Sequence, residues 1–247
     1  AVIAAAMGLI AHFALFLQWY HAGMAAPSAE PGCEILLKWI HPGLAYLGIL
    51  GGSLFAVSAY GFFTKKKWAM FFSVVAIVMA LLASWFINVP FMAADLPPVY
   101  FIIFWPYLLI YFILMRAVGH YSWSRTLLGL ATGLAYITCF MNGVSSTSRI
   151  ITVGAPIFVL VDGLHWVAAV AWAVVTVGLL MSPKEWMRVL GVTAGVIELV
   201  VGIPLAFVTG AQLGRFSLFA LAPIVCLGLL VVLVWPNLWQ KLTGSKE

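Results

Sequence analysis

Charge is what this sequence has least of. Asp, Glu, Lys and Arg together make up 8% of its 247 residues, whereas soluble globular chains carry about 25%. So few polar side chains cannot cover a water-soluble domain of this length, which excludes a soluble enzyme. Cysteine is nearly as scarce: Cys33, Cys139 and Cys226 stand singly along the chain, so neither a disulfide framework nor the CxxC spacing of a zinc site exists. Also absent are a phosphate-binding glycine loop, a Ser-His-Asp arrangement, an HExxH helix and a deaminase signature, and with them the soluble types of hydrolytic catalysis.

Apolar side chains fill the space, at 65% of the chain with 15% aromatic. A helix needs about 20 apolar residues to cross a bilayer, so eight crossings use about 160 residues and leave only short loops and tails. Breaks marked by polar residues, Pro and Gly divide the chain into Val2–Tyr20, Ile35–Phe63, Trp68–Val89, Val99–Met115, Thr126–Asn142, Pro156–Met181, Met187–Val208 and Phe216–Trp235. The expected fold is an all-α integral membrane protein of about eight transmembrane helices.

The cations are distributed unevenly among the breaks. Lys65, Lys66, Lys67, Arg116, Arg125, Lys184, Arg188, Lys241 and Lys246 fall on one side and Lys38, Arg149 and Arg215 on the other. By the positive-inside rule the first side is cytoplasmic, with both termini, in a multi-pass plasma-membrane protein. The net charge of +5 is then explained by topology and anionic lipid, and no nucleic-acid partner is expected. Most of Trp19, Tyr20, Trp39, Trp68, Tyr100, Tyr121, Trp123, Trp186, Trp235 and Trp239 sit near span ends, where an aromatic belt forms.

The second half of the chain echoes the first. Leu37-Lys38-Trp39-Ile40-His41 corresponds to Val161-Asp162-Gly163-Leu164-His165, Lys66-Lys67-Trp68 to Lys184-Glu185-Trp186, Pro90 to Pro204 and Pro106 to Pro223. The expected organisation is therefore two parallel four-helix repeats, residues 1–120 and 121–247, related by a pseudo-two-fold along the membrane normal. His41 and His165 then lie at similar depth, on equivalent helices.

Ionisable residues within spans are costly, and are functional candidates for that reason. Here they are His12, Lys38, His41, Asp162, His165 and Glu198. His12 lies roughly eight residues from the outer end of its span, His41 and His165 roughly six to nine from theirs. Three histidines at one depth suit metal or haem ligation, with haem iron taking two axial ligands from facing helices; interhelical hydrogen bonding is the alternative. Lys38 and Asp162, one turn before the two histidines, either pair with each other or serve a haem propionate and an imidazole respectively. His12 is either a third ligand, in a copper-like site with His41 and His165, or a donor to a backbone carbonyl. Glu198 is a proton or quinone-site candidate, or a hydrogen-bonded neutral acid. In the first outer loop His21, Glu30, Cys33 and Glu34 offer ligand types for a metal without a diagnostic spacing.

The run Leu37-Lys38-Trp39-Ile40-His41 followed by Gly48, Gly51 and Gly52, echoed by Leu164-His165-Trp166-Val167-Ala168-Ala169, resembles the Trp/Leu-His helix of a loose group of membrane proteins. That group includes the copper-resistance D type, the membrane domain of bacterial urate oxidases and four-helix b-type cytochromes. The resemblance covers the second and sixth spans and implies haem b or copper handled by His41 and His165. The expectation is an electron-transfer subunit of a membrane oxidoreductase complex rather than an enzyme alone, with haem b between His41 and His165. It exchanges electrons with membrane quinone and with partner subunits, and Glu198 or Asp162 accepts a proton. The alternatives are a transporter of copper or a small solute using His12, His41 and His165, and a cofactor-free structural subunit.

Overall fold

The computed structural model describes residues 1–26 and 34–244. Glu30, Cys33 and Lys246 lie outside the described residues. Among those residues all regular structure is helical. Seven helices are long and apolar enough to cross a membrane: α1 (Val2–Ala25), α2 (Leu36–Phe63), α3 (Trp68–Ala93), α4 (Phe101–Val118), α5 (Trp123–Thr152), α6 (Pro156–Met181) and α7 (Glu185–Leu213). The apolar helix α8 (Leu218–Val234) follows, bent by 95° from the short α9 (Pro236–Thr243), and the pair makes an eighth candidate span. The chain is an all-α, multi-pass membrane protein, because in lipid only a helix satisfies every backbone N–H and C=O within one segment. It divides into two compact units, Ala1–His120 and Tyr121–Glu247.

In the first unit α2 packs along α3, with α1 against α2 and α4 against α3. Glycine sets the α1–α2 spacing. A Cβ on Gly8 would fall on the backbone of Gly52, and one on Gly48 would fall inside the His12 ring. Packing between helices in lipid depends on such small residues, because no hydrophobic effect drives the helices together there. A π-helical turn at Met7–Ala11 interrupts α1 just before His12.

In the second unit α5, α6, α7 and α8 form a closed ring of neighbours, α8 packing back on α5. Two buried apolar clusters fill it. One gathers Leu128, Ala135, Ala168, Ala169, Trp172 and Leu229, among others; the second gathers Phe158, Val161, Val201, Leu205 and Phe219.

The largest departure from the expected spans is in α5, which continues ten residues past Asn142 to Thr152. The polar run Ser145-Ser146-Thr147-Ser148-Arg149 reads as a loop by composition, yet it stays helical. Thr152 Oγ1 donates to the Ser148 carbonyl at 2.9 Å, back onto its own helix, while the single proton of Thr147 Oγ1 lies between the Gly143 carbonyl at 3.0 Å and the Asp162 carboxylate at 2.8 Å. Arg149 is 2% exposed, with its guanidinium 4.9 Å from the centre of the Phe219 ring and 5.7 Å from that of Phe158, a cation–π arrangement.

Because Gly52 meets the backbone of Gly8, Gly52→Val should destabilise the first unit by about 1–3 kcal/mol, as overpacking does. Gly228→Ala, where an added Cβ meets nothing within 4 Å, should leave the melting temperature in detergent unchanged. Equal melting of the two variants would show that the glycine contact is not needed.

Candidate functional site

A polar cluster lies at the junction of the two apolar clusters of the second unit, and each of its four long helices contributes to it. From α6, His165 Nδ1 meets Glu198 Oε2 of α7 at 2.9 Å, both side chains fully buried. From α5, Asn142 Nδ2 donates to the other carboxylate oxygen, Oε1, at 2.8 Å and to the Phe219 carbonyl at 3.2 Å. One turn earlier on α5, the Cys139 thiol stands near Glu198 and Cys226 on α8; both cysteines are free and buried.

Glu198 is accommodated by its own helix. Gly202 lies one turn further along α7, where a Cβ would come within 2.5 Å of Oε1. Both carboxylate oxygens are thus met by donors, Oε2 by His165 Nδ1 and Oε1 by Asn142 Nδ2. The imidazole is fixed in turn: with Nδ1–H donating to Glu198, the lone pair resides on Nε2. That nitrogen is buried and has no hydrogen-bond partner among the described residues, and neither does Asn142 Oδ1. A histidine that presents one nitrogen while a carboxylate holds the other has the arrangement of a metal-ligating imidazole, in which the second partner sets tautomer and basicity.

In the first unit His41 Nε2 meets the Tyr100 hydroxyl at 2.8 Å. Tyr100 is held by its backbone N–H, which donates to Asn88 Oδ1 at 3.0 Å, and Asn88 Nδ2 donates to the Ser84 carbonyl at 2.8 Å. His41 Nδ1 lies beside Gly23, 3.1 Å from where a Cβ would stand. His12 also faces Tyr100, with ring centres 6.0 Å apart, and stacks on Tyr107 at 6.0 Å. Neither nitrogen of the His12 ring has a hydrogen-bond partner, so the expected bond to a backbone carbonyl is not made.

The first unit therefore brings His12 and His41 together around Tyr100, and the second joins His165 to Glu198. Lys38 is exposed on α2. Asp162 is not the carboxylate that orients His165. Its Oδ1 accepts from Thr147 Oγ1 at 2.8 Å, because Asp162 faces α5 while the imidazole, one turn on, faces α7. Asn142, Cys139 and Cys226 were not expected at a site. Among the described residues, no three His, Cys, Asp or Glu side chains are arranged to hold a metal ion. No protein-family model, curated protein or solved structure matches the chain.

Removing a buried acceptor leaves its donors unsatisfied, here His165 Nδ1 and one N–H of Asn142. Glu198→Ala should cost about 1–3 kcal/mol, read as a fall in detergent melting temperature, and Glu198→Gln should cost less because it keeps an acceptor for His165. Glu185→Ala, which opens the exposed pair with Arg188, is the control and should melt like the parent. A Glu198→Ala variant as stable as the control would mean that the cluster contributes nothing to the bundle.

Proposed function

We propose that this chain is an integral membrane subunit of a redox complex that passes electrons between membrane quinone and partner subunits, with haem b held through His165. The observation that carries this is the buried Nε2 of His165, unpartnered while Nδ1 is held by a buried carboxylate at 2.9 Å. These residues fit an axial ligand and its supporting partner. When bound, haem b supplies the one-electron chemistry.

The chain's own residues do the rest. His165 presents a lone pair in a fixed tautomer, and Glu198 draws on the Nδ1 proton and makes the imidazole a stronger donor to iron. Asn142 keeps the carboxylate aimed at the imidazole. The apolar clusters on either side keep the surroundings dry, which raises the weight of every charge nearby. Glu198 is also the buried group to which a proton can pass when a quinol is oxidised. In the first unit His41, His12 and Lys38 are separate candidates for contacts to haem or copper. The duplication into two parallel four-helix repeats and a plasma-membrane location with both termini cytoplasmic belong to the same proposal.

The test is a dithionite-reduced minus oxidised visible spectrum of the detergent-purified protein, with acid extraction of any haem. A sharp α-band of low-spin b-type haem should appear and be lost in His165→Ala. The same spectra of His41→Ala and His12→Ala test the candidates of the first unit. Glu198→Gln should keep the band and raise the midpoint potential, since a less basic imidazole stabilises the ferric state less. A flat spectrum from fully folded protein overturns the proposal. For topology, a reporter that is active only in the cytoplasm should be active when fused to the C-terminus, and silence there would invert the assigned orientation.

A further inference from the structure

The buried face of α5 changes character along its length. Ala135, Cys139, Asn142, Ser146 and Arg149 follow one another at helical spacing on that face, none more than 2% exposed. Toward the start of α5 the face packs into the apolar cluster of Ala168, Trp172 and Leu229. The nearby hydroxyls of Thr132 and Thr138 donate to carbonyls of their own helix at 3.0 and 2.9 Å. From Asn142 onward the face is polar. Asn142 stands ten residues before Thr152, the last residue of α5, or about 15 Å at 1.5 Å per residue, half of the ~30 Å hydrocarbon core. The polar seam on α5 thus runs through one leaflet, from the Glu198 site to the membrane face at the α5–α6 turn.

Two atoms of the seam, Asn142 Oδ1 and Ser146 Oγ, are buried and have no hydrogen-bond partner among the described residues. Side chains four residues apart on a helix have Cβ atoms about 5–6 Å apart, a spacing that one water molecule bridges with two hydrogen bonds of about 2.8 Å. An unmet buried polar group costs about 1–3 kcal/mol, and buried water is what ordinarily meets it. Phe219 borders the seam at both ends: its carbonyl accepts from Asn142 Nδ2 at 3.2 Å, and its ring centre lies 4.9 Å from the Arg149 guanidinium. The inner end of the seam is therefore an ionisable pair, His165 and Glu198, and the outer end is a cation.

We propose that this seam holds a file of water molecules that carries protons between the His165–Glu198 pair and the membrane face at the α5–α6 turn. Each water accepts one proton and donates another, so only O–H and N–H bonds change and no electron moves. Ser146 supplies the hydroxyl that anchors the file one turn beyond Asn142. The positive charge of Arg149 at the outer end disfavours an excess proton resting in the file, which leaves it either on the pair or outside. The inference rests on the reading of Glu198 as the group that takes up a proton, and it needs no haem.

The experiment is solvent exchange of the His165 Nδ1–H, read by nitrogen-15 NMR of the full-length, histidine-labelled protein in detergent, kept reduced with dithionite. His165→Gln identifies the signal. The Nδ1 proton should exchange with water at least a hundredfold faster than the backbone N–H of the same residue. Ser146→Val should slow it at least tenfold, whereas Ser146→Thr, which has the same shape but keeps a hydroxyl, should exchange like the parent. Ser148 lies two residues on and so on the opposite side of α5, and Ser148→Ala should also exchange like the parent. Helical circular dichroism and melting of each variant confirm folding. Equal exchange in the Ser146→Val and Ser146→Thr proteins, or a parent Nδ1 proton that outlasts its backbone N–H, overturns the proposal. A flat visible spectrum overturns the haem reading alone, since the exchange is read with or without haem.

Discussion

A carboxylate in the middle of an apolar helix bundle dictates much of what surrounds it. Glu198 cannot be solvated where it stands, so its two oxygens must find donors on neighbouring helices, and they find His165 on α6 and Asn142 on α5. Each of these constraints fixes a helix in both rotation and height. Gly202 must remain without a side chain to leave room for the carboxylate, and α5 must continue as a helix far enough to hold Asn142 within the bundle. The apolar clusters on either side then fill space whose geometry the polar contacts have already limited. Buried networks of this kind add less to stability than to uniqueness, since an apolar core can slip by a turn and a satisfied network cannot.

The first unit meets the problem of buried imidazoles with a different donor. His41 is answered by a phenol, and that phenol is positioned by a chain of contacts through Asn88 to the carbonyl of Ser84. The first contact joins an imidazole to a phenol, whereas the pair in the second unit joins an imidazole to a carboxyl group. His41 and His165 thus stand in unlike chemical settings.

The helical, membrane-embedded character of the chain was legible from composition and from the spacing of apolar runs. The span Pro156–Met181 coincides with its helix, because Pro begins it and the polar Ser-Pro-Lys follows it. The continuation of α5 was not legible. Ser and Thr weaken a helix in water, but within the bundle the Thr152 hydroxyl returns to a carbonyl of its own helix and that of Thr147 is shared between its helix and Asp162. The candidate site was half legible. His165 and Glu198 stood out as ionisable groups within spans, while their contact, made between residues 33 apart in sequence, left no periodic trace. Cys139 and Cys226 carried no signal in linear spacing, since they approach one another only through the packing of α8 on α5. Asn142 looked like the end of a span, the place where an amide is least surprising.

The π-helical turn at Met7–Ala11 has a meaning for how the first helix tolerates change. A π turn holds one residue more than an α turn, so it records a phase shift that α1 keeps. N-terminal to it, Ala4 and Ala5 are buried; C-terminal to it, His12 is buried. Loss of any single residue within the turn would return the helix to regular α register and rotate one of these faces by about 100° relative to the other. The length of this short stretch is therefore held as tightly as Gly8, which admits no side chain against Gly52: substitutions among its other aliphatic residues preserve the phase, whereas a one-residue deletion turns either the alanines or the imidazole toward lipid.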